Sequence, residues 1–159
     1  MNVEAKKKTF KSFHYGVYVL TAKAGDEVSA ATVTWVAQAS FEPPLFSVAV
    51  RRDSKSHALI EASGQLALHV LAEGQKDLAA AFFKAAKFED GKLNGYATEP
   101  SPNFGLPLLL DPPYWLEAEV VAAVKEGDHT VFVCRVVEAG VREEKPALCL
   151  RDTGWSYGG

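Results

Sequence analysis

Residues 114–141 read Tyr-Trp-Leu-Glu-Ala-Glu-Val-Val-Ala-Ala-Val-Lys-Glu-Gly-Asp-His-Thr-Val-Phe-Val-Cys-Arg-Val-Val-Glu-Ala-Gly-Val. Two runs rich in β-branched residues, 114–124 and 130–141, flank the polar turn Lys125–His129, and this spacing predicts a long antiparallel hairpin. Further strands are expected on either side. Residues 15–22 (Tyr-Gly-Val-Tyr-Val-Leu-Thr-Ala) and 28–37 form a second hairpin around Ala24-Gly25-Asp26. Glu42-Pro43-Pro44 breaks the chain, because neither proline can donate to a ladder. Leu45–Arg51 follows as a strand apolar on both faces, which suggests a central position. Residues 65–71 and 147–151 complete the strands.

Two helices are expected. Ser54 can cap one over 55–62, with Gly64 at its C-terminal end, and Ala58, Leu59 and Ala62 share a face. The second covers 75–86, with Leu78, Phe82 and Phe83 in register. Residues 90–107 carry glycine, asparagine and proline at turn spacing and read as a long loop. The count is six or seven strands and about two helices. Strands mostly follow strands, which excludes a doubly wound parallel sheet and favours an antiparallel barrel with helices at its ends.

Composition narrows the function. The 159 residues are 48% hydrophobic, which suits a single domain over 1–159, with residues 1–12 as an N-terminal arm. Two cysteines exclude a disulfide scaffold and a four-cysteine zinc site. The four histidines lack ligand spacing, so no metal site is expected. A net charge of −3 disfavours nucleic-acid binding, and Lys6–Lys8 read as a solvated run. No stretch reaches the roughly 20 apolar residues of a membrane span, and no apolar segment of a signal peptide follows the lysines. A cytoplasmic protein with reduced thiols is therefore expected. Nucleotide-binding glycine loops and the serine nucleophile elbow are absent.

What remains points to an anion. Arg51-Arg52-Asp53-Ser54-Lys55-Ser56-His57 ends a strand and opens a helix, where unpaired N–H groups and cationic side chains suit a phosphate or carboxylate. Thr32 and Thr34, two apart, would present their hydroxyls on one strand face. His129 sits where a strand leaves a turn, and Trp155 and Tyr157 lie in a glycine-rich tail.

Taken in order, Tyr15–Ala22, Ala31–Leu45 (Ala-Thr-Val-Thr-Trp-Val-Ala-Gln-Ala-Ser-Phe-Glu-Pro-Pro-Leu), Ser54–His57 and Gly127-Asp128-His129 resemble the flavin reductase-like family, whose fold is the FMN-binding split barrel. The resemblance implies a homodimer that binds FMN, or FAD, near the subunit interface. Thr32, Val33, Thr34 and Trp35 would then contact the ribityl chain and phosphate. Gln38, Ala39 and Ser40 would follow the isoalloxazine edge through backbone groups. Arg51, Ser54, Ser56 and His57 would hold the phosphate. His129, the catalytic candidate, would help place a nicotinamide, while Phe88, Trp155 and Tyr157 would cover the ring, the tail being able to serve the partner subunit. The activity implied is hydride transfer from NAD(P)H to flavin, with a monooxygenase or another flavin acceptor downstream. An FMN-bound electron carrier fed by a protein donor, and a flavin-binding module without turnover, are the alternatives.

Overall fold

The computed structural model describes residues 1–159. The anticipated hairpins are present, and a seven-stranded antiparallel sheet dominates. Its strands in chain order are β1 (Tyr18–Ala24), β2 (Glu27–Val33), β3 (Val36–Ser40), β4 (Leu45–Arg51), β5 (Gln65–Val70), β10 (Tyr114–Val124) and β11 (His129–Val141). The helices are α1 (Val3–Lys11), α2 (Lys55–Ser63) and α3 (Lys76–Ala81). Across the sheet the order is β2-β1-β5-β10-β11-β4-β3. The two outermost strands, β2 and β3, are consecutive in the chain with only Thr34 and Trp35 between them. A flat sheet cannot bring its opposite edges within two residues, so this one curls on itself into a barrel.

The expected single strand over 28–37 is therefore two strands. The chain turns a corner at Thr34–Trp35, leaving β1 and joining β4, where the Ala49 N–H donates to the Trp35 carbonyl at 3.0 Å. Strand β4 is also not central. It lies one place from the edge and its burial alternates, whereas β1 and β5 are buried on both faces. Leu20, Ala22, Leu66 and Leu68 point into the barrel with Phe46, Val48, Ile60 and Phe132. Val17 and Val19 belong to a second core with Leu71, Leu78, Phe82, Leu93 and Leu109.

That second core is covered by elements the sequence conceals. The expected loop 90–107 folds into β7 (Lys92–Leu93), β8 (Tyr96–Pro100) and β9 (Pro107–Leu109), which with β6 (Phe88–Glu89) make a four-stranded sheet. Strands of two to five residues are too short to carry a period. Helix α3 stops at Ala81, short of the expected 86, because its last carbonyls are taken: Thr32 Oγ1 donates to Ala79 O at 2.6 Å and Asn94 Nδ2 to Ala81 O at 2.8 Å. The expected strand 147–151 makes only isolated bridges, at Ala147 and Cys149, before a 3-10 helix over Leu150–Thr153. It is threaded between two backbones, with Leu148 N–H on Leu71 O and Val17 N–H on Leu148 O. The N-terminal arm is helical. Asn2 Oδ1 caps it through Ala5 N–H, Glu4 lies in its first turn and Lys8 and Lys11 in its last, in the sense that complements the dipole. Ser54 and Gly64 bound α2 as expected. No helix is long and apolar enough to cross a membrane.

Three buried polar groups tie the small sheet to the barrel, and the simplest is Thr21, whose Oγ1 donates to Pro107 O at 2.8 Å. Burial pushes the Glu117 carboxyl up, but bonds from Ser101, Asn103 and Phe104 outweigh it and hold it below its usual range. His69 on β5 has its Nδ1 2.9 Å from Val19 O and its Nε2 accepting from Leu109 N–H at 3.0 Å, which fixes a neutral tautomer with the proton on Nδ1. Burial lowers its pKa from 6.5 to about 4, with the bond to Val19 opposing the shift. The unfolded chain therefore takes up a proton between pH 6.5 and 4 that the folded chain refuses, so this contribution is complete above pH 6.5 and falls away as the pH drops. At about 1.4 kcal/mol per pH unit the loss is on the order of 3 kcal/mol. Urea midpoints measured from pH 7 to 4 should decline through this window, and the decline should flatten in His69→Gln, which keeps one donor and one acceptor without titrating.

Candidate functional site

The corner at Thr34–Trp35 forms one wall of a cavity of about 470 Å³, within the roughly 300–1,000 Å³ range of small-molecule sites. The end of β2 contributes Ala31, Thr32 and Val33, and β4 contributes Ala49, Val50 and Arg51. Ser54 lies at the head of α2, His129 at the start of β11, and Trp155, Ser156 and Tyr157 fold in from the tail. Of the expected residues, Thr32, Val33, Thr34, Trp35, Arg51, Ser54, His129, Trp155 and Tyr157 are thus brought together.

The others are elsewhere. Gln38, Ala39 and Ser40 are on β3 beyond the corner, and Gln38 and Ser40 line a separate apolar groove with Val36, Leu45 and Val136. Ser56 is buried in α2 and does not line the cavity. His57 turns inward, its Nε2 2.8 Å from Thr130 Oγ1 and its ring against Phe132. Phe88 faces a different hollow, with Lys23 and Val28. The aromatic that reaches the cavity is Phe83, which sequence reasoning assigned to the apolar face of α3. It lies beyond the helix end, 58% exposed, and meets Trp155 edge-on at 4.7 Å. Only the early end of α3 frees it, and that depends on contacts from Thr32 and Asn94 far away in sequence.

An aromatic cluster forms the other wall. Trp35 packs against His129 at 4.6 Å and Tyr157 at 5.2 Å between ring centroids. His129 Nε2 is 2.8 Å from the Tyr157 hydroxyl and Nδ1 2.8 Å from Asp128 Oδ1. Burial raises the Tyr157 phenol above its usual range, against the pull of Arg51. The Asp128 carboxylate can only accept, so Nδ1 donates to it, and this bond holds the Asp128 carboxyl below its usual range. The tail can lie this close only because residue 158 is glycine. A Cβ there would meet the Trp35 ring at 2.8 Å, and φ is +92°.

Charge at the cavity is partly spent. Arg51 donates to Asp53 through Nε at 3.0 Å and through the terminal nitrogen at 2.5 Å, which raises the guanidinium pKa and lowers the carboxyl's. Ser54 accepts the His57 N–H at 3.1 Å as the cap of α2. Thr32 is likewise committed to Ala79. Thr34 Oγ1 and Trp35 Nε1 at the corner are buried without a hydrogen-bond partner, as is Ser29 Oγ on β2. An unpaired buried polar group costs roughly 1–3 kcal/mol, so each is a cost carried by the fold.

A model of the flavin reductase like domain matches residues 10–155. The chain belongs to the flavin reductase-like family. The NADH-dependent flavin reductase StyB of Pseudomonas fluorescens is 34% identical over 136 residues, 82% of this chain and 74% of that one. Diflavin flavoprotein A 1 of Synechocystis is 33% identical over 128 residues, 79% of this chain and 22% of that protein. The structure of the styrene monooxygenase flavin reductase of Pseudomonas putida S12 superposes with a TM-score of 0.76 at 28% identity, covering 92% of each chain. This chain spans less than a quarter of the length of the diflavin flavoproteins it matches.

A flavin fits the site on the chain's own residues: a mostly apolar cavity of small-molecule size, lined by aromatic rings, with Thr34, Ser54 and the Arg51 cation among its lining. Thr34→Val tests the unpaired hydroxyl. Removing a group with no partner should leave the stability of the ligand-free protein unchanged or up to about 1–3 kcal/mol higher, while flavin affinity falls. Lower thermal stability of the variant would show that the hydroxyl is bonded within the protein.

Proposed function

We propose that the chain is an FMN-dependent NAD(P)H:flavin oxidoreductase acting as a homodimer. The carrying observation is the convergence of Thr34, Trp35, Arg51 and Ser54 with His129 and the tail aromatics on one cavity. A bound flavin would supply the redox chemistry, taking up hydride from the nicotinamide. The absence of a nucleophile, a carboxylate pair or a metal cluster at the cavity suits a reaction whose protein contribution is proximity.

Each residue then has a task. Thr34 and Trp35 line the cofactor's place. Arg51 and Ser54 hold its phosphate, Arg51 exchanging part of its bond to Asp53 for the new anion. Val17, Val50 and Leu150 exclude water from the ring. His129, fixed by Asp128 and Tyr157, offers a flat face and helps seat the nicotinamide. FAD in place of FMN suits the same donors, since the phosphate nearest the ribityl chain is common to both. A second copy of the chain would cover the apolar groove that β3 and β4 line with Tyr18, Leu68, Leu116 and Val136, and the Phe41 ring, which is 89% exposed. In such a dimer Gln38 and Ser40 face the partner. The two free cysteines suit a reducing, cytoplasmic setting. Reduced flavin would pass to a monooxygenase or another flavin-accepting partner.

The match to diflavin flavoproteins and to a high molecular weight rubredoxin of Moorella thermoacetica, 32% identical over 137 residues, favours one second reading: a flavin module that receives electrons from a protein donor.

Purified protein incubated with FMN and either NADH or NADPH should oxidise at least one of them well above the protein-free rate. Failure with both, together with rapid reduction of bound flavin by a reduced ferredoxin-type protein, would move the assignment to the second reading. Arg51→Ala should weaken FMN by about 1.5–3 kcal/mol and leave riboflavin binding nearly unchanged. Asp53→Asn should act in the opposite sense, because it frees the guanidinium for phosphate. Equal effects on FMN and riboflavin would remove Arg51 from the phosphate site.

A further inference from the structure

A second hollow of about 370 Å³ adjoins the first and shares Leu150, Trp155, Ser156 and Tyr157 with it. Its remaining wall comes from the end of α1 and the segment leading into β1, and from Arg151. Three basic side chains line it, Lys11, His14 and Arg151, and no carboxylate does. That is unusual in a chain with 20 acidic and 17 basic residues, where a random wall would mix signs.

The basic groups are available. Lys11 has no ion-pair partner, and Arg151 gives only its Nε, to Asp152 at 3.2 Å, leaving both terminal nitrogens free. Beside them Phe13 and Tyr15 pack at 6.2 Å, and Phe13 is 52% exposed. Cations matched to a phosphate pair and an exposed aromatic face matched to a base are the two halves of nucleotide recognition.

We propose that this hollow binds the adenosine diphosphate unit of a dinucleotide whose other half enters the main cavity. The proposal rests on the main cavity being the flavin and nicotinamide site, and it supplies what that cavity lacks, a place for the rest of the donor. Lys11 and Arg151 take the diphosphate, and Phe13 and Tyr15 take the adenine. The unit can come from a nicotinamide dinucleotide or from FAD. Tyr157, which walls both hollows, lies where the two halves join.

The test is calorimetric titration of ADP into the full-length protein, with and without saturating FMN. ADP should bind in both conditions. The double variant Lys11→Glu/Arg151→Glu should lose at least tenfold in ADP affinity and keep its FMN affinity and melting temperature, and the milder Lys11→Gln should lose less in the same direction. ADP competition against NADH or NADPH identifies the nicotinamide donor as the source, and competition against FAD but not FMN identifies the flavin dinucleotide. Absence of ADP binding to the wild-type protein, or equal binding by wild type and double variant, overturns the proposal. If FMN fails to bind the wild-type protein, the flavin reading falls instead, and the ADP titration still decides this one.

Discussion

The architecture depends on a covalent constraint. Two residues, Thr34 and Trp35, join the strands at opposite ends of a seven-stranded sheet. A two-residue link spans at most about 10 Å between its flanking Cα atoms, so the sheet has to close. Closure places the linking residues at the seam, with their carbonyls taken by Val36 N–H and Ala49 N–H and both residues lining the cavity. One wall of the cavity is thus a by-product of how the barrel shuts, and Trp35 holds the second wall through its ring contacts with His129 and Tyr157.

Local pairing sets how strongly the cavity can attract charge. Arg51 is not a free cation but half of a two-point contact with Asp53, and both side chains are more than half exposed. Such a solvated pair contributes little to folding. It keeps the guanidinium extended in one direction, ready to be shared with an incoming anion at small cost. Next to it the arrangement differs. His129 lies directly across the β4–β11 ladder from Arg51, and hydrogen bonds link it to the Tyr157 phenol and to Asp128. An exchangeable ion pair and a hydrogen-bonded chain thus stand side by side on one stretch of the wall.

The long strands were legible because period and β-branching persist over seven or more residues, as in 114–124 and 130–141. The capped helix at 55–63 was legible because Ser54 and Gly64 act locally. Misreadings cluster where a distant group decides. The break after Val33 is set by β4 capturing β3, and the end of α3 by Thr32 and Asn94. The small sheet over 88–109 has strands shorter than any window that could detect them. For the site, Thr34, Trp35, Arg51, Ser54, His129, Trp155 and Tyr157 were legible as residue types near turns and strand ends. Phe83 was not, and Phe88 was chosen in its place, because which of two nearby phenylalanines reaches the cavity depends on where the helix stops.

The tail shows why motif and geometry have to be read together. Trp155, Ser156 and Tyr157 wall both hollows, yet nothing in their own sequence holds them there. They are anchored from behind by the 3-10 helix, where Thr153 Oγ1 donates to Leu150 O and accepts from Trp155 N–H. They are anchored from the front by Tyr157 on His129, and they are sized by Gly158, whose missing side chain leaves room for the Trp35 ring. Each anchor is weak alone, and a tail held by one tyrosine hydroxyl and ring contacts can yield to a ligand that offers the same contacts. On the proposed function, a nicotinamide seated against Trp35 and His129 would take over those contacts, and Tyr157 is the side chain that would have to move to admit it.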